Sequence, residues 1–252
     1  GNAYTALSND FAGILFNPAG LALVKKLEFS GGMNYNSIKN ETAFFNTNSS
    51  LSGNSSKLNQ FGFVFPFPTK QGSFVLALGY NRVKDFTRSM KFDAFNPNNH
   101  SLIQDLAYFN DDVAYELGLS YPTYDNSDNY LGDVTLINGR LNQKGTIKQE
   151  GGISNWSFAA AVEIDKDIFL GGTINFYNGD YKRNRDYWEE DIYNNYPSSV
   201  LLDPIDPATA DFRTFYFNDI IKWDISGFGA SIGLLAKVDE NINIGVTVKR
   251  SE

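Results

Sequence analysis

The sequence predicts an all-β protein, a transmembrane antiparallel β-barrel, and three observations support this prediction. Apolar residues recur at every second position in several stretches, which is the pattern of strands with one apolar face. Short and long connections alternate along the chain, as in barrels that have short turns on one side of a membrane and long loops on the other. Aromatic residues make up 15% of the chain, yet no apolar run is long enough for a membrane-spanning helix.

The first predicted strand illustrates the alternation. Leu27 and Phe29 lie on one face, where we expect contact with lipid. Glu28, Ser30 and Asn34 lie on the other face, which we expect to line the barrel lumen. Seven strands are predicted in chain order, at about residues 27–38, 59–67, 73–91, 152–164, 168–186, 223–238 and 242–250.

The same alternation assigns further apolar side chains to the lipid-facing side, among them Phe61, Phe63, Leu76, Phe158 and Ile232. The alternative is a soluble secreted β-domain, in which these side chains would lie in a dry protein interior. We favour the barrel because the predicted strands approach the roughly 9–11 residues that cross the hydrocarbon core. An odd number of strands leaves 242–250 without a neighbour, so we expect the barrel to need further strands.

The predicted connections are short at residues 66–72, 165–167 and 239–241, and long at about 39–58, 93–151 and 187–222. All three long loops are expected outside the membrane. In the second, Leu102, Ile103 and Leu106 recur at helical spacing, which predicts a short helix followed by irregular structure. The alternation from Val113 to Tyr121 is compatible with two alternatives, an extra strand or a hairpin within the loop.

Composition and motifs argue against catalysis. The formal net charge of −8 disfavours nucleic-acid binding, and the absence of Cys excludes disulfides and thiolate metal sites. Residues 229–233 match Gly-x-Ser-x-Gly, but they lie in an alternating strand, and the single histidine, His100, precedes them. Asp125, Asp128 and Asp133 lack the order of a calcium-binding EF-hand loop. We therefore expect no enzymatic activity, no cofactor and no metal site.

Both ends of the chain resemble the FadL-type outer-membrane transporters of long-chain fatty acids and other hydrophobic compounds. The N-terminal sequence GNAYTALSNDFAGILFNPAGLA is similar to the plug segment of that family, and SGFGASIGLLAKVDENINIGVTVKRSE is similar to a family hairpin. The resemblance implies a small N-terminal hatch at residues 1–24, inside a barrel of about fourteen strands whose first half is residues 25–252. The implied hatch signature is Phe16, Asn17, Pro18, Ala19 and Gly20.

The resemblance also implies a function in the bacterial cell outer membrane. A long-chain fatty acid or similar hydrophobic molecule would be captured on outer loops, bound in the lumen and released sideways under control of the hatch. Expected contacts are outer-membrane lipid and lipopolysaccharide, and the expected state is a monomer. The alternative is a non-transporting outer-membrane barrel that acts as a docking or secretion partner for surface proteins.

Three groups of residues are candidates for this function. The first is a capture surface in the third long loop, although packing of that loop on itself is the alternative reading: Tyr187, Trp188, Ile192, Tyr193, Tyr196, Val200, Leu201 and Leu202. The second is Lys182, Arg183 and Arg185, which we expect to contact a carboxylate or surface phosphates. The third is a kink in the wall at Gly79, Asn81 and Arg82, since a glycine or a polar residue weakens a strand locally.

Overall fold

A computed structural model describes residues 5–7, 9–109, 112–239 and 242–251. Its strands are β1 (Glu28–Phe44), β2 (Thr47–Phe67), β3 (Phe74–Asp85), β4 (Arg88–Phe95), β5 (Tyr121–Tyr124), β6 (Tyr130–Val134), β7 (Asn142–Asp165), β8 (Ile168–Glu190), β9 (Thr214–Lys237) and β10 (Asn243–Ser251). The all-β antiparallel prediction is confirmed.

One antiparallel sheet contains eight of these strands, in the order β1-β2-β3-β7-β8-β9-β10, and β4 also pairs with β7. β5 and β6 form a separate two-stranded sheet. Within the described residues, β1 and β10 are the two edges of the large sheet and are not paired with each other. Residues 1–4 and 8 of the expected hatch and residues 240 and 241 of the expected 239–241 turn lie outside the described residues.

Helices are few and short. They are α1 (Leu102–Tyr108), α2 (Asp112–Glu116) and the 3₁₀ segments Phe11–Ile14, Pro18–Leu23 and Pro207–Thr209. α1 confirms the predicted short helix, and it begins with a capping box in which Ser101 and Gln104 satisfy each other's backbone N–H groups. No helix in the described part of the chain is long and apolar enough to cross a membrane.

The strands reach much further than the sequence predicted. β7, β8 and β9 contain 24, 23 and 24 residues. The expected long loop at about 39–58 is wrong, because β1 and β2 stay paired up to Phe44 and Thr47. Asn, Ser and Thr occupy both faces of this hairpin, so the apolar alternation disappears while the backbone pairing continues.

The other two long connections are also shorter than predicted. The predicted strand 73–91 is divided into β3 and β4, which are separated at Phe86 and Thr87. Because β4 ends at Phe95 and β7 begins at Asn142, the loop expected at 93–151 contains the ends of two strands as well as α1, α2, β5 and β6. The loop expected at 187–222 is reduced to residues 191–213.

The N-terminal segment, residues 5–7 and 9–24, covers one face of the large sheet, which we call the inner face. Its Phe11, Ile14 and Leu21 form a hydrophobic core with Val64, Val75 and other inward side chains of β2, β3, β7, β8 and β9. Leu21, Val64 and Val75 are fully buried. Burial of this kind supplies most of the free energy that holds an irregular segment on a sheet.

The opposite, outer face carries a band of exposed apolar side chains. Phe63, Leu76, Phe158 and Ile232 are 39–64% exposed, and Phe61 is half-buried, so these five do not lie in a protein interior. The band ends at one row of rings in register on five adjacent strands, the aromatic row, which consists of Phe61, Tyr80, Trp156, Phe176 and Phe228.

A second core lies at the far end of the long strands. Residues 96–109, 112–141 and 191–213 form a cap there, whose buried side chains include Ile103, Ile137 and Leu141. Tyr196 and Leu202 from residues 191–213 complete this core together with Phe215 of β9. The molecule therefore has two packed ends, and the inner face between them is the part available to a ligand.

Candidate ligand site on the inner face

The Asn-Pro-Ala turn of the N-terminal segment packs on the inner face of the sheet, at the end opposite the cap. Asn17 is fully buried, and its side-chain Nδ2 donates to the backbone oxygens of Thr5 (2.8 Å) and Leu234 (3.1 Å). Its Oδ1 accepts from the backbone N–H of Ala19 at 3.1 Å, which makes it the N-cap of the segment Pro18–Leu23. The asparagine thus links the N-terminal segment to β9.

Glycines on the inner face provide the space for this segment. A Cβ atom at Gly233 would lie 1.9 Å from Oδ1 of Asn17, and one at Gly171 would lie 2.3 Å from the carbonyl carbon of Pro18. A Cβ atom at Gly62 would lie 1.9 Å from the ring of Phe11. Since no larger residue fits at these positions without displacing the segment, the sheet and the segment are complementary in shape.

Apolar side chains exchange faces above the aromatic row. On the outer face of β8, Ile174 and Phe176 are followed by Asn178, Asp180 and Lys182, all of them exposed. Several rings lie on the inner face here and form a ring-lined wall, which consists of Tyr181, Tyr187, Phe217 and Trp223 with Phe86. The ring centroids of Tyr181 and Trp223 are 5.1 Å apart, and those of Phe86 and Tyr181 are 5.4 Å apart.

A cavity of about 360 Å³ lies between this wall and the cap. Its apolar lining consists of Phe44, Met90, Phe92 and Leu102. Its polar lining consists of Thr42, His100, Asp105, Gln143, Arg185 and Tyr187. A concave site that combines apolar side chains with polar groups able to orient a ligand is the usual form of a small-molecule site.

Two arginines share one carboxylate beside the cavity. Nη2 of Arg183 lies 2.6 Å from Oδ2 of Asp219, and Nε of Arg185 lies 2.8 Å from Oδ1. Burial acts to raise the pKa of Asp219, but the hydrogen bonds from the two guanidinium groups outweigh it and lower the pKa below its usual value. Because the carboxylate stays ionised, the group of three keeps one net positive charge at neutral pH.

A buried carboxylate connects the cap to the sheet behind this cavity. Glu189 is fully buried and accepts hydrogen bonds from Tyr187 Oη (2.7 Å), Gln143 Nε2 (2.8 Å) and the N–H of Leu102 (2.9 Å), and from Ser101 Oγ. Burial raises the pKa of Tyr187, and the charge of Glu189 raises it further. Tyr187 therefore remains a neutral hydrogen-bond donor in the cavity wall.

The backbone pairing between β2 and β3 ends next to the aromatic row. β2 and β3 pair only as far as Gln60 and Asn81, and Val83 forms a bulge in the pairing of β3 with β7. Beyond this point Nζ of Lys57 on β2 lies 2.8 Å from both carboxylate oxygens of Asp85 on β3. We call this place the seam.

The predicted kink residues lie at and below the seam. Asn81 is the last residue of β3 that pairs with β2, and Arg82 adjoins the bulge and donates to the backbone oxygen of Gly151 at 2.9 Å. Gly79, by contrast, is regularly paired with both neighbouring strands. A Cβ atom there would lie 2.9 Å from the ring of Phe11, so this glycine makes room for the N-terminal segment.

The predicted capture surface is not one surface. Tyr187 lines the cavity, whereas Trp188 follows it in β8 and therefore faces outward, where it stacks on Tyr216 with the ring centroids 4.9 Å apart. Tyr196 and Leu202 are buried in the core of the cap, so for these two the alternative that the loop packs on itself is correct.

The remaining predicted residues of this region lie in different environments. Ile192 and Tyr193 are exposed, and Val200 and Leu201 are half-buried. Lys182 faces outward and is exposed, whereas Arg183 and Arg185 bind Asp219, so the three basic residues do not act together. Among them only Arg185 lines the cavity.

Sequence reasoning did not find the cavity residues Phe44, Met90 and Phe92. They come from segments that were assigned to a loop and to the end of one strand. One signal was present: adjacent aromatic residues at Phe176 and Tyr177 mark the point in β8 where the apolar side chains change from even to odd positions.

The chain matches no family model, no curated protein and no solved structure. The resemblance to FadL-type transporters is therefore a prediction from the sequence alone.

Proposed function

We propose that the protein is an uptake channel of the bacterial outer membrane for long-chain fatty acids or similar hydrophobic molecules. The observation that carries the proposal is the exchange of faces at the aromatic row. Below the row, apolar side chains face outward, where lipid would contact them. Above it, Tyr181, Phe217 and Trp223 face inward, where a solute would contact them, while Trp188 and Tyr216 face outward.

The outer face supports the membrane part of this proposal. The exposed apolar residues between Trp156 and Ile164 of β7 span nine positions, close to the roughly 9–11 residues that cross the hydrocarbon core. An aromatic row at the border of the band corresponds to the girdle of rings found at membrane interfaces. An exposed apolar surface of this extent on a sheet whose other face is already covered calls for a hydrophobic environment.

The inner face supports the transport part. A solute would enter the cavity under the cap, pass along the ring-lined wall and stop at the N-terminal segment, which acts as the hatch. The seam between β2 and β3 is the proposed lateral exit, because backbone pairing is missing there and the Lys57–Asp85 ion pair takes its place. Burial of an apolar solute contributes about 25 cal/mol per Å², so few polar contacts are needed along this route.

The test uses the complete protein reconstituted in lipid vesicles. The entry of oleate is followed with an entrapped fluorescent fatty-acid sensor. Trp223→Asp places a charge on the ring-lined wall and should slow entry about tenfold or more. Ile220→Asp is the matched control, because Ile220 also belongs to β9, three residues before Trp223, but faces outward. Equal rates for the two variants would refute the proposed inner route.

A second candidate function is the docking of surface proteins, and one observation favours it. Residues 101–139 contain seven Asp or Glu and no Lys or Arg, and in this part of the cap Tyr108 and Phe109 are 81% and 75% exposed. An open cavity beneath the cap nevertheless favours transport, because a docking barrel has no need of an internal ligand site.

A further inference from the structure

We propose that the cavity under the cap selects aromatic carboxylates, molecules with a rigid ring system and one carboxylate, over flexible acyl chains. This inference rests on the proposed uptake function and names the class of solute for the same cavity. Its two supports are the arrangement of the rings in the cavity wall and the position of Arg185.

The apolar wall of the cavity is built mainly from rings. The ring centroids of Phe44 and Phe92 are 5.0 Å apart with an interplanar angle of 62°, and those of Phe92 and Tyr187 are 6.2 Å apart at 45°. A guest ring can join such a cluster in the same edge-to-face and tilted geometries, which an acyl chain cannot reproduce. The thioether of Met90 also makes favourable contacts with ring edges.

Arg185 gives the cavity an anion-binding end. Its Nε donates to Asp219, and its two terminal nitrogens have no hydrogen-bond partner in the part of the chain that the structure describes. Since Arg183 binds the same carboxylate, one positive charge of the group is not balanced. A planar guanidinium binds a carboxylate through two parallel hydrogen bonds, which fixes the direction of the attached ring.

The other charged groups of the cavity orient the guest. The carboxylate of Asp105 also lines the cavity, and its Oδ2 lies 4.0 Å from Nε2 of His100. A guest carboxylate is repelled by Asp105 and attracted by Arg185, so it has one favoured orientation. The body of the guest then lies against Phe44 and Phe92.

The size of the cavity also favours a compact guest. A volume of about 360 Å³ corresponds to a sphere about 9 Å across. An extended chain of sixteen carbons is about 19 Å long, given carbon–carbon bonds of about 1.5 Å. Such a chain would have to fold or extend out of the cavity, and it would lose torsional freedom that a rigid ring system does not have.

The test compares three probes by isothermal titration calorimetry on the complete protein in nanodiscs: 2-naphthoate, dodecanoate and 2-naphthalenemethanol. We expect 2-naphthoate to bind about tenfold more tightly than either other probe. Arg185→Gln should weaken 2-naphthoate about tenfold and leave the neutral naphthalenemethanol within about twofold. Phe92→Leu should weaken 2-naphthoate about fivefold and leave dodecanoate unchanged.

Lys182→Gln is the matched control. It removes a positive charge from the same strand, but Lys182 faces outward, is exposed and does not line the cavity, so the affinity for 2-naphthoate should change by no more than about twofold. The inference would be overturned if dodecanoate bound as tightly as 2-naphthoate and Phe92→Leu left the affinity for 2-naphthoate unchanged. The uptake proposal would then remain intact. If no probe binds and oleate does not enter vesicles, both proposals fail.

Discussion

Replacement of Asn17 by alanine should release the N-terminal segment from the inner face. With the described residues the side chain makes three hydrogen bonds of 2.8–3.1 Å, and all of them are lost in Asn17→Ala. At about 1 kcal/mol for each bond, the free energy that holds the segment on the sheet falls by about 3 kcal/mol. The loss is larger where a carbonyl oxygen stays buried without a donor. Since 1.4 kcal/mol is a factor of ten, the open state of the segment should become about a hundredfold more populated.

Hydrogen exchange followed by mass spectrometry measures this population directly. In the complete protein, the peptide that contains residues 9–24 should exchange about a hundredfold faster in Asn17→Ala, while peptides from β7 to β9 remain unchanged. Asn34→Ala is the matched control, because Asn34 is an exposed asparagine of β1 on the inner face. Unchanged exchange of residues 9–24 would show that buried apolar contacts, and not Asn17, hold the segment in place.

Two further predictions concern the cap and the seam. Glu189→Gln should reduce the stability of the cap by about 2–4 kcal/mol, because four donors lose a charged acceptor. Glu190→Gln, whose partner Lys144 is half-buried, should cost under about 1 kcal/mol, and urea unfolding curves that coincide for the two variants would contradict this. At the seam, burial acts to raise the pKa of Asp85, but hydrogen bonds from Lys57 and Thr87 lower it to about 2. A lowered pKa means that the ion pair stabilises the seam fully above the ordinary value of 3.8 and is lost only as the pH falls through about 2. A carboxyl ¹³C titration should place the midpoint near 2 in the wild type and higher in Lys57→Gln, and a wild-type midpoint near 4 would contradict the assignment.

The outward side chains of the band could be predicted from the sequence for a physical reason. Successive side chains of a strand point to opposite faces, so large apolar residues at every second position, such as Phe63, Leu76 and Phe158, must share one face. The short helix α1 could be predicted because its apolar spacing and its capping residues agree.

The cavity could not be predicted, because its residues come together only through long-range pairing. Phe44, Phe92 and Tyr187 lie on three different strands, and the first of these belongs to a hairpin that is polar on both faces. The exchange of faces also defeats a search for a fixed alternation, because the apolar side chains change parity within β8 while the backbone pairing stays regular. Their contacts follow from tertiary structure and not from local pattern.

The length of β8 has a consequence for the proposed uptake route. From Phe176 to Glu190 the strand rises about 46 Å along its own direction, which is about 35 Å of height at the usual tilt of a barrel strand. In the proposed orientation the strands therefore extend beyond the membrane surface, and the entrance lies well outside the polar surface of the bilayer. Molecules would be collected from the surrounding medium before they could dissolve in the outer leaflet, and delivery by a carrier or a droplet at that distance would suit the entrance better than diffusion within the lipid.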